Sequence, residues 1–198
     1  MRKISTKQDR LKKQKRNTLI ISLVLVVIIS LSVFGIVANS FGKSNSNADA
    51  QKTVYNGYEF YSSGSFWILE QGNFKFIFAS NPNDLKNVSI ESNELNLLPD
   101  YAQQTLYIYS DESTANYQIY QNLDLFLTRI QPACLEQDKA ICPEDLPIKG
   151  CEDNFIIIKQ SDENKLTQQD KCIFIEAKPE DLTKVIDIFL LKILGINE

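Results

Sequence analysis

The 198-residue chain carries a formal charge of −4 and no histidine. The missing histidine excludes Ser-His-Asp and Cys-His nucleophilic catalysis, His-ligated zinc or non-haem iron, and imidazole acid–base chemistry. The seven glycines are scattered and form no phosphate-cradling loop, and Arg129 is the one arginine beyond residue 17, so a phosphate clamp would rest on lysines.

The net charge hides a split. Residues 1–17 hold eight basic side chains and one acidic one, whereas the remaining 181 residues hold 13 basic and 24 acidic. Thr18 to Ala38, TLIISLVLVVIISLSVFGIVA, follows directly and contains no charge. At about 1.5 Å rise per residue, a helix of this length spans the hydrocarbon core of a bilayer. Lipid offers the backbone no other hydrogen-bond partners, so a helix is expected despite the β-branched residues. Cations on the N-terminal side, and none beyond until Lys43, is the positive-inside pattern. The expected organisation is a cytoplasmic tail (1–17), a transmembrane signal anchor in contact with lipid (18–38), a flexible tether (39–53) and one extracytoplasmic domain (54–198). The tail has no aromatic residue to stack on bases, so it reads as an orientation signal and not as a nucleic-acid site. Ala48-Asp49-Ala50 has the form of a signal-peptidase site, but the apolar stretch is longer than a signal peptide needs. A pilin-like precursor is a further alternative, although Lys15-Arg16-Asn17 offers no glycine at the cut.

Val54 to Ser80 reads as a β-meander: YEFY, FWILE and FKFIFA are aromatic or β-branched runs separated by Asn56-Gly57, Ser62-Ser63-Gly64-Ser65 and Gln71-Gly72-Asn73. The alternation Phe74-Lys75-Phe76-Ile77-Phe78 predicts one buried and one partly exposed face. Asn87-Val88-Ser89 is an N-glycosylation sequon, and NVSI is the expected strand of the segment 87–98. TLYIYS at 105–110 predicts a buried strand, and Asp111 a cap for the following helix. Ala115, Ile119, Leu123, Phe126, Leu127 and Ile130 recur at helical spacing, which predicts one amphipathic helix over 113–130 ended by Pro132.

Residues 131–153 are irregular and rich in cysteine. NFIIIK (154–159) and KCIFIE (171–176) predict strands joined through SDEN at 161–164. The last helix is expected to open at Pro179, bury Leu182, Val185, Ile186, Phe189, Leu190, Ile193 and Leu194, and end at Gly195. Strand 105–110, helix and strand 154–159 would form a parallel crossover unit. The fold class expected is α+β, a meander followed by a β-α-β-β-α half with helices on one face of a mixed sheet.

Cys134, Cys142, Cys151 and Cys172 all follow the anchor. An even number in an oxidising compartment argues for two disulfides, with Cys134–Cys142 and Cys151–Cys172 the favoured pairing of the three. Four-thiolate zinc and thioredoxin-like redox chemistry both lack the C-x-x-C hook. Asp111-Glu112, Glu144-Asp145 and Glu152-Asp153 are acidic pairs of the kind carboxylate hydrolases use, but also of the kind solvated surfaces carry. Asp162, Glu163 and Asn164 do not follow a calcium-loop pattern. Tyr101, Tyr107, Tyr109, Tyr117 and Tyr120 are dense enough to form a face for a partner protein or a sugar, or to line the core edge with wet hydroxyls. The residues show no catalytic, cofactor or metal site.

Cys-Pro-x-x-Leu-Pro-Ile at 142–148, Cys151, Cys172-Ile-Phe-Ile-Glu and Leu-Leu-Lys-Ile-Leu-Gly-Ile at 190–196 resemble segments of membrane-anchored archaeal surface proteins without an assigned activity. That resemblance implies disulfides and an outward-facing domain. The reading that follows is a non-enzymatic binding or assembly module with a protein partner in the cell envelope. A carboxylate-based hydrolase of surface glycans and a pilin-like subunit are the alternatives.

Overall fold

A computed structural model describes residues 51–110 and 112–196. The basic tail, the apolar stretch 18–38, the tether up to residue 50 and Asp111 lie outside the described residues. Among the described residues no helix is long and apolar enough to cross a membrane.

The first layer is an antiparallel meander of β1 (Lys52–Tyr55), β2 (Tyr58–Ser63), β3 (Phe66–Gln71) and β4 (Phe74–Phe78), in that spatial order. β1 takes in Lys52 and Thr53, ahead of Val54, where the sequence pattern of the meander starts. Asn56 and Gly57 both adopt positive φ, 47° and 83°, which a two-residue hairpin turn requires and which explains the Asn-Gly pair. Phe60, Leu69, Phe76 and Phe78 point inward and are buried, while Lys75 is exposed and Ile77 half-buried, as the period-2 pattern predicts.

The second sheet has six strands in the order β5 (Glu91–Ser92), β11 (Lys165–Gln169), β12 (Cys172–Ala177), β10 (Phe155–Gln160), β6 (Thr105–Tyr109) and β7 (Arg129–Pro132). β12, β10, β6 and β7 run parallel, and β11 is antiparallel to β12. α3 (Ser113–Leu123) and α4 (Leu182–Ile193) both pack against its inner face, while α1 (Pro82–Leu85) and α2 (Leu98–Tyr101) are single turns. The class is mixed α+β with helices beside sheets. One buried cluster runs from the meander through α3 and α4 to Leu106, Ile108, Ile156, Ile158, Ile173 and Ile175. A smaller one, Ala133, Phe155, Ile157 and Cys172, lies on the outer face.

Several expectations need correction. The helix predicted over 113–130 ends at Leu123; a 3-10 turn (Asp124–Phe126) follows, and Ile130 belongs to strand β7. A short edge strand fits the same apolar spacing, and Pro132 is tolerated at its end because an edge strand leaves some N–H groups unpaired. The α3 crossover therefore returns to β7, and β10 is reached by a second crossover. β11 lies in what reads as a connection, because Leu166 alone among its residues is apolar and buried. β5 occupies 91–92 instead of NVSI, and α4 begins at Leu182, three residues after Pro179. Gly195 ends α4 at φ 72°, with the Ile196 N–H bonding Leu191 O and the Gly195 N–H bonding Lys192 O, a Schellman closure.

α4 is buried on more than one side, since Asp187 and Leu191 are enclosed as well as the apolar stripe. Asp187 is fully buried at the seam where the meander's exit meets the helices. Its Oδ1 accepts from the Ala79 N–H at 3.2 Å and from Gln118 Nε2, and its Oδ2 accepts from the Ser80 N–H at 2.8 Å. One turn along α3, Asn122 treats β4 as a neighbouring strand would: its Oδ1 accepts from the Ile77 N–H (2.7 Å) and its Nδ2 donates to Ile77 O (2.9 Å). Burial pushes the Asp187 carboxyl up to about 7, against the opposing pull of its donors.

Two outcomes follow from this seam. Asn122→Ala strands both Ile77 backbone groups, and urea unfolding should register a loss of roughly 1–3 kcal/mol. The folded state holds the Asp187 proton more tightly than the unfolded chain. Its contribution is therefore full below the unfolded value near 4 and is lost as pH rises through about 7. The stability difference between wild type and Asp187→Asn should grow as pH falls from about 8 to about 5; a flat difference contradicts the assignment.

Candidate functional site

The chain leaves β6 toward α3 on the inner face of the sheet. It leaves β7 toward the cysteine-bearing segment, which passes over the outer face to reach β10. The two crossovers step in opposite directions on opposite faces, so they share one hand. The outer crossover has no helix to fill its backbone hydrogen bonds. β8 (Cys134–Leu135) pairs parallel with β9 (Ile148–Lys149), and a 3-10 turn covers Glu136–Asp138. Further bonds run from the Ala133 N–H to Ile108 O, from the Cys134 N–H to Pro147 O and from the Lys171 N–H to Cys151 O.

Two disulfides fasten this segment. Cys134 and Cys142 are bonded with Cα atoms 6.0 Å apart, closing the loop on itself. Cys151 and Cys172 are bonded with Cα atoms 4.8 Å apart, tying the end of the loop to the middle of the sheet. All four thiols are thereby consumed, which leaves no thiolate among them for zinc or redox exchange.

Between the carboxyl ends of β6 and β7 the loop encloses a crevice of about 250 Å³. Ile108, Tyr109 and Ser110 come from β6 and its exit, and Pro132 and Ala133 from β7 and its exit. Asp138, Ile141, Pro143, Leu146 and the Cys134–Cys142 disulfide supply the loop wall. The Oδ2 atom of Asp138 is buried and has no hydrogen-bond partner among the described residues. Residues 134–146 carry four acidic side chains and one basic, Lys139, which sits 4.0 Å from Glu136.

The five tyrosines fall in separate places. Tyr101 is buried in the main core, where desolvation pushes its hydroxyl up to about 12 and keeps it neutral. Tyr120 packs on the same core and donates its hydroxyl proton to Ile130 O (3.1 Å). Tyr107 and Tyr109 line the outer face of the sheet with Lys149 and Lys159 over their rings, at 4.3 and 5.5 Å. Tyr117 projects from α3, 65% exposed. Tyr107 and Tyr109 are the pair the fold brings together; the other three are not on their face. Asn87 is exposed in the turn after α1 and borders a polar cleft of about 460 Å³.

The other sequence candidates resolve into local structure. Asn164 is engaged throughout: its Nδ2 donates to Ser89 O and to Asp181, and its Oδ1 accepts from the Lys178 N–H. Glu163 pairs with Lys165 at 3.0 Å, which holds its carboxyl below the usual range. Among the described residues no group of three or more acidic or cysteine side chains is placed to hold a metal ion. An apolar groove of about 430 Å³ lies where the β3–β4 hairpin, α2 and the end of α4 meet. There Phe126 stacks on Phe76 at 5.6 Å and leans on Phe74 at 4.5 Å. Neither the crevice nor the groove is legible in the sequence, because each is assembled from segments far apart in the chain.

Comparison with protein-family models, curated proteins and solved structures finds no match to this chain.

Each bridge joins one buried and one half-exposed cysteine, but Cys172 is fully enclosed whereas Cys134 keeps 6% of its surface exposed. Under increasing reductant the 134–142 bridge should open first, as read by alkylation and mass spectrometry. Paired serine replacement should then cost roughly 2–3 kcal/mol at 134/142 and roughly 3 kcal/mol at 151/172, by thermal unfolding. Equal reducibility would show that burial does not protect Cys172.

Proposed function

We propose that this chain is a single-pass membrane protein whose C-terminal domain works outside the cytoplasm as a non-enzymatic binding or assembly module of the envelope. The observation that carries this reading is the pair of disulfides clamping the outer crossover against the sheet. Closed disulfides of this kind persist in oxidising compartments. They also hold rigid a loop that no helix supports, and rigid loops on a packed scaffold are where binding surfaces are built. The charge split around residues 18–38 supports an inward N-terminus and an anchor within the lipid. The resemblance of the C-terminal third to membrane-anchored archaeal surface proteins points the same way. An exposed sequon at Asn87 suits glycosylation on the same side of the membrane.

Cross-linking in living cells, mild detergent extraction of the full chain and identification of what co-purifies tests the module. A stoichiometric envelope protein is the expected result. A monomer with no partner, or a domain that external protease cannot reach, rejects it.

A further inference from the structure

The 181 residues after position 17 hold 13 basic and 24 acidic side chains, and Lys52, Lys75, Lys149, Lys165 and Lys184 each meet a carboxylate within 4 Å. Lys86 and Lys192 form no ion pair among the described residues, and both line one pocket of about 410 Å³. It opens where α1 and the residues after it meet the C-terminal half of α4, beside the end of β1. We infer that this pocket binds a compact organic anion, a carboxylate or phosphate on a short apolar body, with Lys86 and Lys192 as its cations. The inference rests on reading the chain as a binding module and adds to it a site and a ligand class.

The lining is graded from apolar to cationic. Leu85, Leu191, Ile196 and Tyr55 are buried and form the floor, and the half-buried Val88, Ile90 and Ile188 continue the apolar side. Lys86, Ser89 and Ser92 are exposed and Lys192 is half-buried, so the ammonium groups and hydroxyls stand toward the mouth. Lys86 Nζ lies 5.0 Å from the centroid of the Tyr55 ring, which keeps it at the pocket wall without supplying a carboxylate. Among the described residues no acidic side chain lines this pocket. The polar cleft next to it shares Val88 and Ser89 but carries Asp84, Glu91, Asp162, Glu163 and Asp181 against three lysines, so its field is of the opposite sign. An anion that enters the pocket gains charge-assisted hydrogen bonds from the ammonium groups, and beside apolar walls that attraction is stronger than in bulk water. Its apolar body covers the floor. The volume lies in the lower part of the roughly 300–1,000 Å³ range of small-molecule sites, which fits a compact molecule and excludes a two-chain lipid.

The test titrates 4-methylpentanoate and 3-methylbutyl phosphate into the full chain in a non-ionic maltoside detergent, with both disulfides intact. Calorimetry and saturation-transfer NMR read binding. At least one of the two anions should saturate. Neutral 4-methylpentanamide, equal in size to the carboxylate, should bind at least about tenfold more weakly, the ratio expected for one lost charge-assisted hydrogen bond. Acetate and inorganic phosphate, which have the charge without the apolar body, should also bind at least about tenfold more weakly. Lys86→Gln and Lys192→Gln should each weaken the saturating anion by a similar factor, and Lys159→Gln, on the outer face of the sheet, should not. Ile188→Phe, which fills the pocket without touching the charges, should block the anion; near-ultraviolet dichroism and thermal unfolding verify that each variant is folded. No saturation by either anion, equal binding of the amide or of the bare ions, or unchanged binding in both lysine variants overturns the site. An envelope partner retained alongside a silent pocket rejects this site alone, whereas a saturating anion with no partner rejects the assembly role and leaves the site standing.

Discussion

The domain depends on a polar seam inside an apolar core. The meander ends at β4, an edge strand whose backbone groups would otherwise face the helices unpaired. Asn122 from α3 takes up the Ile77 N–H and C=O, and Asp187 from α4 takes up the N–H groups of Ala79 and Ser80. Both side chains are buried, and Gln118 joins them by donating to Asp187. A carboxylate in such a place is expensive to ionise, yet without these acceptors the meander's last strand would bury unsatisfied donors. Apolar contact holds the layers together over area; the seam fixes their register, because hydrogen bonds are directional and dispersion is not.

On the far side of the six-stranded sheet the constraint is different. The crossover from β7 to β10 has no helix, so its backbone cannot satisfy itself and its side chains bury only the small cluster around Phe155 and Ile157. Covalent bonds replace what packing would otherwise provide. One disulfide shortens the loop and the other pins it to β12, which allows a largely polar, acidic segment to hold one conformation over an apolar sheet face. The bridged loop forms one wall of the crevice at the β6 and β7 ends.

Legibility in the sequence followed how local each interaction is. The meander was readable because Asn56-Gly57 and the alternating phenylalanines act within a few residues. The cysteine pairing was readable because 134 with 142 closes a short loop and 151 with 172 joins a loop to its nearest strand. The helix over 113–130 was half right: Ala115, Ile119 and Leu123 are helical, but Ile130 fits the same spacing from a strand. β11 was missed because one buried leucine among polar residues gives no period to see. The five tyrosines, readable from the sequence either as one face or as core-edge residues, are divided between the core, the outer sheet surface and solvent, since sequence density does not report which side of an element a residue takes.

The sequence by itself determined the turns, the strand alternation, the apolar face of the last helix and the redox chemistry of the four cysteines. These depend on residue type, spacing of a few positions and the absence of histidine. Only the tertiary structure decided that Asp187 is enclosed, that Asn122 completes a strand edge, and that the exits of β6 and β7 meet the cysteine-bearing loop at a crevice. Each of these joins residues dozens of positions apart, and their approach is set by how layers pack, a property of the whole chain that no local pattern encodes.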